Sequence, residues 1–329
     1  MNPYQVIWET TLRCNMQCIH CGSVAGKQRT SELTTEEALS VIHQLDDLGT
    51  ESLVLMGGEP FLRKDWFTLA KEVNKTNIDL IFISNGYLQN ETILKNLSEL
   101  NINNLGVSID GGTPGTHDFI RRAPGSFKHC FDFIDKLNKL NIPVTVVTSV
   151  MKNNLNELPV IRDLISGKVL MWQLQVACPV GRFKNELMLS KNQFYSLGEF
   201  INNSQDFGYS ILGADNCGYF SKSFNDGWQG CQAGKRVLGI RSNGDILSCL
   251  SINDNSYIEG NVKERSLVDM WNDPNFAKFN KEPQFGSNCS SCFNKETCGG
   301  GCSSMSISTT GVPHNNSYCY HLIEKGVVI

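Results

Sequence analysis

Cys14, Cys18 and Cys21 stand in the run CNMQCIHC, a C-x-x-x-C-x-x-C spacing close to the start of the sequence. Three thiols are one short of a tetrahedral zinc site and an odd number for disulfide pairing. Thiolates also hold iron-sulfur clusters, and a cubane cluster bound by three cysteines keeps one iron open to another ligand. A second group lies in the last third of the chain. Cys231 and Cys249 are followed by Cys289-x2-Cys292-x5-Cys298-x3-Cys302 and then Cys319. Paired C-x-x-C spacings also occur in zinc ribbons, but one zinc site takes four cysteines where seven stand here.

The bulk properties narrow the setting. A chain of 329 residues exceeds the usual single domain, so two domains are expected. Lys and Arg number 29 against 33 Asp and Glu, a net charge of -4, and no basic run tracks a phosphate backbone, which argues against nucleic acid as a partner. No charged segment leads into a long apolar stretch, and nothing approaches the roughly 20 apolar residues of a membrane span. A cytoplasmic protein without membrane attachment is therefore expected. Cytosolic thiols are kept reduced, so 13 cysteines without a secretion signal point to metal or redox chemistry.

The elements that must carry these residues follow from periodicity. Apolar, β-branched runs at Val6–Thr10, Ser52–Met56, Leu80–Ser84, Asn104–Ile109, Val144–Val150 and Leu170–Val176 alternate with stretches of helical period. In TTEEALSVIHQLDDLG, Thr34 or Thr35 can cap a helix and Gly49 can stop it. Six such βα units, two short of a closed barrel, predict an α/β fold with a partial, TIM-like (β/α)6 barrel. From Gly208 onward Gly, Asn, Ser and Cys become dense, which divides the chain into a barrel over 1–207 and a small cysteine-rich domain over 208–329. Parallel barrels build their sites at the carboxyl ends of the strands. Those ends carry Cys14, then Gly57-Gly58-Glu59-Pro60, Ser84-Asn85-Gly86, Ser108-Ile109-Asp110-Gly111, Thr148-Ser149 and Gln175, which together describe a polar rim.

The cysteine triad after the first strand and GGEP after the second resemble the radical SAM superfamily. The resemblance implies that Cys14, Cys18 and Cys21 hold a 4Fe-4S cluster whose open iron binds S-adenosylmethionine, cleaved there to a 5'-deoxyadenosyl radical. It also implies that Gly57, Gly58 and Glu59 approach the methionine amino group and that Ser108, Asp110 and Arg121 hold the ribose and carboxylate. Arg121 is favoured over Arg122 because HDFIRRAPGSF resembles the stretch after the fourth strand in peptide-modifying members. His20 corresponds to a ring residue lying against the adenine.

The seven later cysteines, with Gly244 five residues before Cys249, resemble the SPASM domain, which holds up to two auxiliary 4Fe-4S clusters. Two motifs supply ten cysteines, one fewer than three clusters would take, and Cys217 in DNCGYF is the nearest further candidate. The resemblance implies Cys217, Cys231, Cys249 and Cys302 for one auxiliary cluster and Cys289, Cys292, Cys298 and Cys319 for the other. Cys217 and Cys178 are also candidate thiol hydrogen-atom donors, with Cys178 just past the sixth strand, while Cys130 reads as packing in a helix. Sulfatase-activating members carry an Asp after the cysteine matching Cys249, where this chain has Leu250.

The expected activity is abstraction of a hydrogen atom from a peptide or protein, giving a crosslink, an oxidised residue or an inverted stereocentre. A small-molecule dehydrogenase or decarboxylase is a second reading, and a zinc-binding scaffold without catalysis a third. Few residues precede Cys14, so a peptide is expected to be held by the barrel mouth, the SPASM loops or another protein. A reducing partner such as flavodoxin or ferredoxin is implied by the resemblance.

Overall fold

The computed structural model describes residues 2–217, 221 and 228–326. Six parallel strands follow the expected runs closely: β1 (Gln5–Thr11), β2 (Ser52–Gly57), β3 (Asp79–Ser84), β4 (Asn104–Ser108), β5 (Val144–Val150) and β6 (Met171–Val176). Between and after them run α1 (Thr35–Asp47), α2 (Trp66–Val73), α3 (Glu91–Ser98), α4 (Pro114–Arg121), α5 (Ser126–Lys139), α6 (Leu158–Ile165) and α7 (Lys191–Asp206). Side chains alternate across a strand, so Val6 and Trp8 on β1 and Leu80 and Phe82 on β3 fall on the core side. Ala38, Val41, Ile42 and Leu45 lie along one stripe of α1 and join the same core.

The helix start that the sequence leaves between two threonines is settled. Thr34 is the N-cap: its side chain accepts from the Glu37 N–H at 3.2 Å while Glu37 accepts from the Thr34 N–H at 2.9 Å. Each bond satisfies an amide that the first helical turn leaves without a partner. Thr35 instead donates its hydroxyl to Asp65 at 2.8 Å.

The sheet continues past the six expected strands on both sides. β7 (Ile211–Gly213) pairs parallel with β6, and β8 (Val237–Ile240) pairs parallel with β1. β9 (Asp245–Leu247) and β10 (Ile258–Asn261) extend β8 antiparallel, giving the order β10-β9-β8-β1-β2-β3-β4-β5-β6-β7. The barrel is open, with β7 and β8 on either side of the seam. The rest of the C-terminal part carries α8 (Leu267–Trp271), α9 (Lys278–Lys281), α10 (Lys295–Cys298), α11 (Ser303–Thr310) and α12 (Tyr320–Glu324). Among the described residues no helix is long and apolar enough to cross a membrane.

Replacing Thr34 by Ala should cost about 1 kcal/mol. Urea titration followed by helix signal should show a lower midpoint for Thr34→Ala and near wild-type behaviour for Thr34→Ser; equal midpoints for all three would contradict the cap.

Candidate active site

β1 delivers Cys14 at its carboxyl end, and the following loop brings back Cys18 and Cys21. The Glu32 carboxylate clasps the loop at its base, accepting from the Leu12 N–H at 2.7 Å, the Thr11 hydroxyl at 2.9 Å and the Arg29 N–H at 3.2 Å. Cys14 N–H donates to the Gly26 carbonyl and Gly26 N–H to the Leu12 carbonyl, both at 3.0 Å. Backbone N–H groups of Met16 and Ala25 point at the sulfurs of Cys14 and Cys21, at 3.4 and 3.3 Å.

The far side of the loop is held by the segment after β6. Arg182 donates from Nε to the Cys18 carbonyl at 2.9 Å, from Nη1 to the Ala25 carbonyl at 2.8 Å, and from its backbone to the Cys21 carbonyl at 3.1 Å. Gly181 sits so close that a Cβ there would meet the Gly22 and Cys21 carbonyl oxygens at 2.3 and 2.4 Å. With φ at +64°, it also adopts a backbone that suits glycine.

Burial pushes the Cys14 thiol up to about 11 and raises Cys18 as well, Arg121 partly opposing the latter. The neutral thiols are thus favoured until a cation binds; bound iron reverses this balance, because a coordinating thiol loses its proton. Three adjacent soft donors on one pinned loop fit such a group. Among the described residues no three His, Cys, Asp or Glu side chains are placed to hold a single metal ion. A zinc site needs donors converging on one point, whereas a cubane takes its thiolates at separate irons.

Beside the triad lies a buried polar network. Arg121, from the last turn of α4, places Nε 2.6 Å from Asp110 Oδ2, close enough for an ion pair although not aligned as a hydrogen bond, and Nη1 3.8 Å from Cys18 Sγ. Asp110 also accepts from the Ser149 N–H at 2.8 Å and lies 3.5 Å from His20 Nε2. Burial alone would raise the Asp110 carboxyl, but the Arg121 guanidinium holds it below its usual range. Burial drives His20 and His117 down to about 4, so both are neutral, and His117 Nδ1 accepts from the Asp110 N–H at 3.1 Å. Asp110 thus fixes the direction of Arg121. Arg122 lies outside this network as the left-handed C-cap of α4.

Gly57 and Gly58 carry the chain from β2 directly against the end of β1. A Cβ on Gly57 would come 2.3 Å from the Thr11 carbonyl oxygen, and one on Gly58 2.4 Å from that of Arg13. The backbone itself therefore requires glycine here, apart from any ligand. Glu59 is fully buried and accepts from the Asn85 N–H at 2.8 Å and the Ser84 hydroxyl at 3.0 Å, while burial pushes its carboxyl up to about 7. Asn85 Nδ2 in turn lies 3.9 Å from Cys14 Sγ. Ser108 is buried at the end of β4, and Cys130 beneath it donates to the carbonyls of Asn85 and Ser108 at 3.3 and 3.5 Å.

The later cysteines form two groups. Cys289, Cys292, Cys298 and Cys319 lie together: burial, and after it the charge of neighbours in this set, pushes Cys289 up to about 11 and Cys319 up to about 12 and raises Cys298. Cys231, Cys249 and Cys302 form the other group, where burial and then the nearby Cys231 push Cys249 up to about 11 and raise Cys302. Cys217 is turned toward the Leu174 carbonyl at 3.5 Å and lines a cavity of about 690 Å³ at the seam, beside the start of β1 rather than its end. Cys178 faces Met305 on α11, Sγ to Sδ 3.6 Å.

Comparison with known proteins bears on this arrangement. The model of the radical SAM superfamily matches residues 8–165, and that of the SPASM iron-sulfur cluster-binding domain matches residues 231–293. The chain belongs to the radical SAM superfamily and carries a SPASM domain. Among its relatives, the AdoMet-dependent heme synthase of Methanosarcina barkeri is 26% identical over 94% of this chain and 93% of its own length. The mycofactocin maturase MftC of Mycobacterium tuberculosis is 25% identical over 94% of this chain and 81% of its own. The crystal structure of Streptococcus suis SuiB bound to S-adenosylmethionine shares the fold with a TM-score of 0.81 at 17% identity, over 97% of this chain and 77% of that one; SuiB is also known bound to the precursor peptide SuiA. Membership of this radical SAM/SPASM group implies 4Fe-4S clusters and S-adenosylmethionine as cofactors.

Arg182 and Gly181 were not singled out by motif reading; a Gly-Arg pair just past a rim strand is the only local signal they leave. In this radical SAM protein Arg182→Ala removes two charge-assisted bonds to the cysteine loop, each worth about 1.5–3 kcal/mol. After anaerobic reconstitution the iron content should fall, with cleavage of S-adenosylmethionine down about tenfold or more; iron content and turnover equal to wild type would refute the staple.

Glu59 gives a pH signature in the cluster-free protein. Its folded value of about 7 lies above the ordinary 4.5, so the folded chain binds this proton more tightly than the unfolded one. Stability is fully present below about 4.5 and is lost as pH rises toward about 7, at up to about 1.4 kcal/mol per pH unit. Urea titrations between pH 5 and 7 should show this decline and Glu59→Gln should flatten it; parallel slopes would remove the buried acid from the account.

Proposed function

We propose that this radical SAM/SPASM enzyme abstracts a hydrogen atom from a peptide or protein substrate, leading to crosslinking, oxidation or epimerisation. The observation that carries the radical chemistry is the gathering of Cys14, Cys18 and Cys21 on one pinned loop at the carboxyl end of β1, next to the buried Arg121–Asp110 pair. The chemistry supplied by the bound cofactors is one-electron cleavage of the sulfonium, giving methionine and a 5'-deoxyadenosyl radical that takes hydrogen from the substrate. The chain's own residues bind and orient. Cys14, Cys18 and Cys21 supply three thiolates, and Arg121, kept charged and aimed by Asp110, offers a forked donor for a carboxylate. Glu59, fixed by Asn85 and Ser84, offers a carboxylate to an ammonium group, and Ser108 offers a hydroxyl at the rim.

Two auxiliary clusters in the C-terminal part, three clusters in all, are part of the same proposal, as is electron delivery by a flavodoxin- or ferredoxin-like protein. The peptide reading is supported by likeness to a mycofactocin maturase over most of both chains and by the shared fold of SuiB, known with a precursor peptide. A small-molecule reading draws on the likeness to an AdoMet-dependent heme synthase, which covers nearly all of both chains. There the same hydrogen abstraction would lead to dehydrogenation or decarboxylation.

The reconstituted protein should hold about twelve irons and, once reduced, form 5'-deoxyadenosine from S-adenosylmethionine. Ala at Cys14, Cys18 or Cys21 should abolish that product, and retention of activity would overturn the assignment. A peptide encoded beside this gene should lose two hydrogens on crosslinking or oxidation, or gain solvent deuterium at an α-carbon on epimerisation, by mass spectrometry. An unchanged peptide alongside a converted small molecule would favour the second reading.

A further inference from the structure

The C-terminal cysteines divide into a set of four and a set of three, and the set of three needs one more donor to close a cubane. We propose that Cys178, which belongs to the barrel, is that donor, so that Cys178, Cys231, Cys249 and Cys302 hold one auxiliary 4Fe-4S cluster across the junction of the two domains. This rests on the reading of the later cysteines as auxiliary-cluster ligands, and it moves the fourth position from Cys217 to the end of β6.

Cys178 lies two residues past β6, at the carboxyl edge of the sheet, and its Sγ is 3.6 Å from Met305 Sδ. Met305 is in the first turn of α11, and the N-cap of that helix is Cys302. Cys178 is therefore carried up to the element that presents Cys302. Ser304, in the same first turn of α11, donates its hydroxyl to the Ser251 carbonyl at 2.8 Å, which brings the segment of Cys249 to this helix start, and a Cβ on Gly299, just before Cys302, would lie 3.8 Å from the Cys231 backbone nitrogen. Asn216 prepares the sulfur for a negative charge: its Nδ2 lies 3.7 Å from Cys178 Sγ and donates to the Val176 carbonyl at 2.7 Å, while its Oδ1 accepts from the Val176 N–H at 3.1 Å. An amide locked in this way supplies the N–H to sulfur contact that tunes cluster thiolates. Ligation exchanges the S–H bond for an Fe–S bond and releases the proton to solvent, with no change in oxidation state.

A cluster held this way would tie the barrel's sixth strand to the SPASM domain. Two other donors compete for the position, Cys217 and Asp215, both on the segment that follows β7.

The test uses the full chain, anaerobically reconstituted. Iodoacetamide labelling with peptide mapping should leave Cys178 unmodified in the cluster-loaded protein and label it after the iron is removed by a chelator. Separately, with Cys14, Cys18 and Cys21 all changed to Ala, about eight irons should remain. Adding Cys178→Ala to that background should remove about half of them or change the EPR spectrum of the reduced protein, whereas Cys217→Ala and Asp215→Ala should do neither. Equal labelling of Cys178 before and after chelation, or an iron content and spectrum unaffected by Cys178→Ala, overturns the assignment. A background protein with no iron would instead defeat the auxiliary-cluster reading itself, and this inference with it. Because the labelling is done on the unaltered chain, a misfolded variant cannot decide the outcome.

Discussion

Between the end of β1 and the start of α1 the chain carries three thiols through a loop with almost no regular structure, and a loop of that kind has to be held by something other than its own hydrogen bonds. Here it is held at three places. Glu32 gathers the amides at its base, Arg182 takes the carbonyls of Cys18 and Ala25, and the Ile19 N–H donates to the Ile120 carbonyl on α4 at 2.9 Å. Satisfying backbone groups in this way removes the cost of burying them unpaired and also fixes where the sulfurs point. The Arg121–Asp110 pair, Glu59 and the two glycines after β2 are placed relative to that loop, so its position sets the geometry of the rim.

The C-terminal part is joined to the barrel by the same kind of contact. β8 pairs with β1, so the strand that delivers Cys14 has the barrel on one side and the SPASM domain on the other. Glu9, nearly fully buried on β1, accepts from Ser242 Oγ at 2.9 Å and from Arg29 Nε at 3.1 Å. Asn253 donates to the Gly22 carbonyl within the cysteine loop at 2.7 Å. A buried carboxylate left without these partners would cost several kcal/mol, which makes the junction specific. Any shift of the C-terminal domain would therefore be felt at the thiols.

Much of this was legible in the sequence. The six strands show as β-branched runs because buried parallel strands need apolar residues on both faces, and α1 shows through its cap and stripe. β7 and β8 did not show: at three and four residues they are too short for periodicity to register, and they exist because the sheet edges on β6 and β1 offer unpaired backbone groups. The spacing of Cys14, Cys18 and Cys21 announced their shared loop, yet the arginine that staples it comes 157 residues after Ala25 and carries no local motif. Gly57 and Gly58 are expected from the sequence to approach the methionine amino group, and their nearest obstacles are the Thr11 and Arg13 carbonyls at the end of β1. Contacts of that kind arise only when the sheet register is known.

On the proposed function, a cluster at Cys14, Cys18 and Cys21 keeps one iron free for S-adenosylmethionine. Mössbauer spectroscopy of 57Fe-reconstituted protein, recorded anaerobically with and without S-adenosylmethionine, tests it most directly. One iron of that cluster should change its isomer shift and quadrupole splitting when the nucleoside is added, while the other three should not. Identical spectra in the two samples would contradict it.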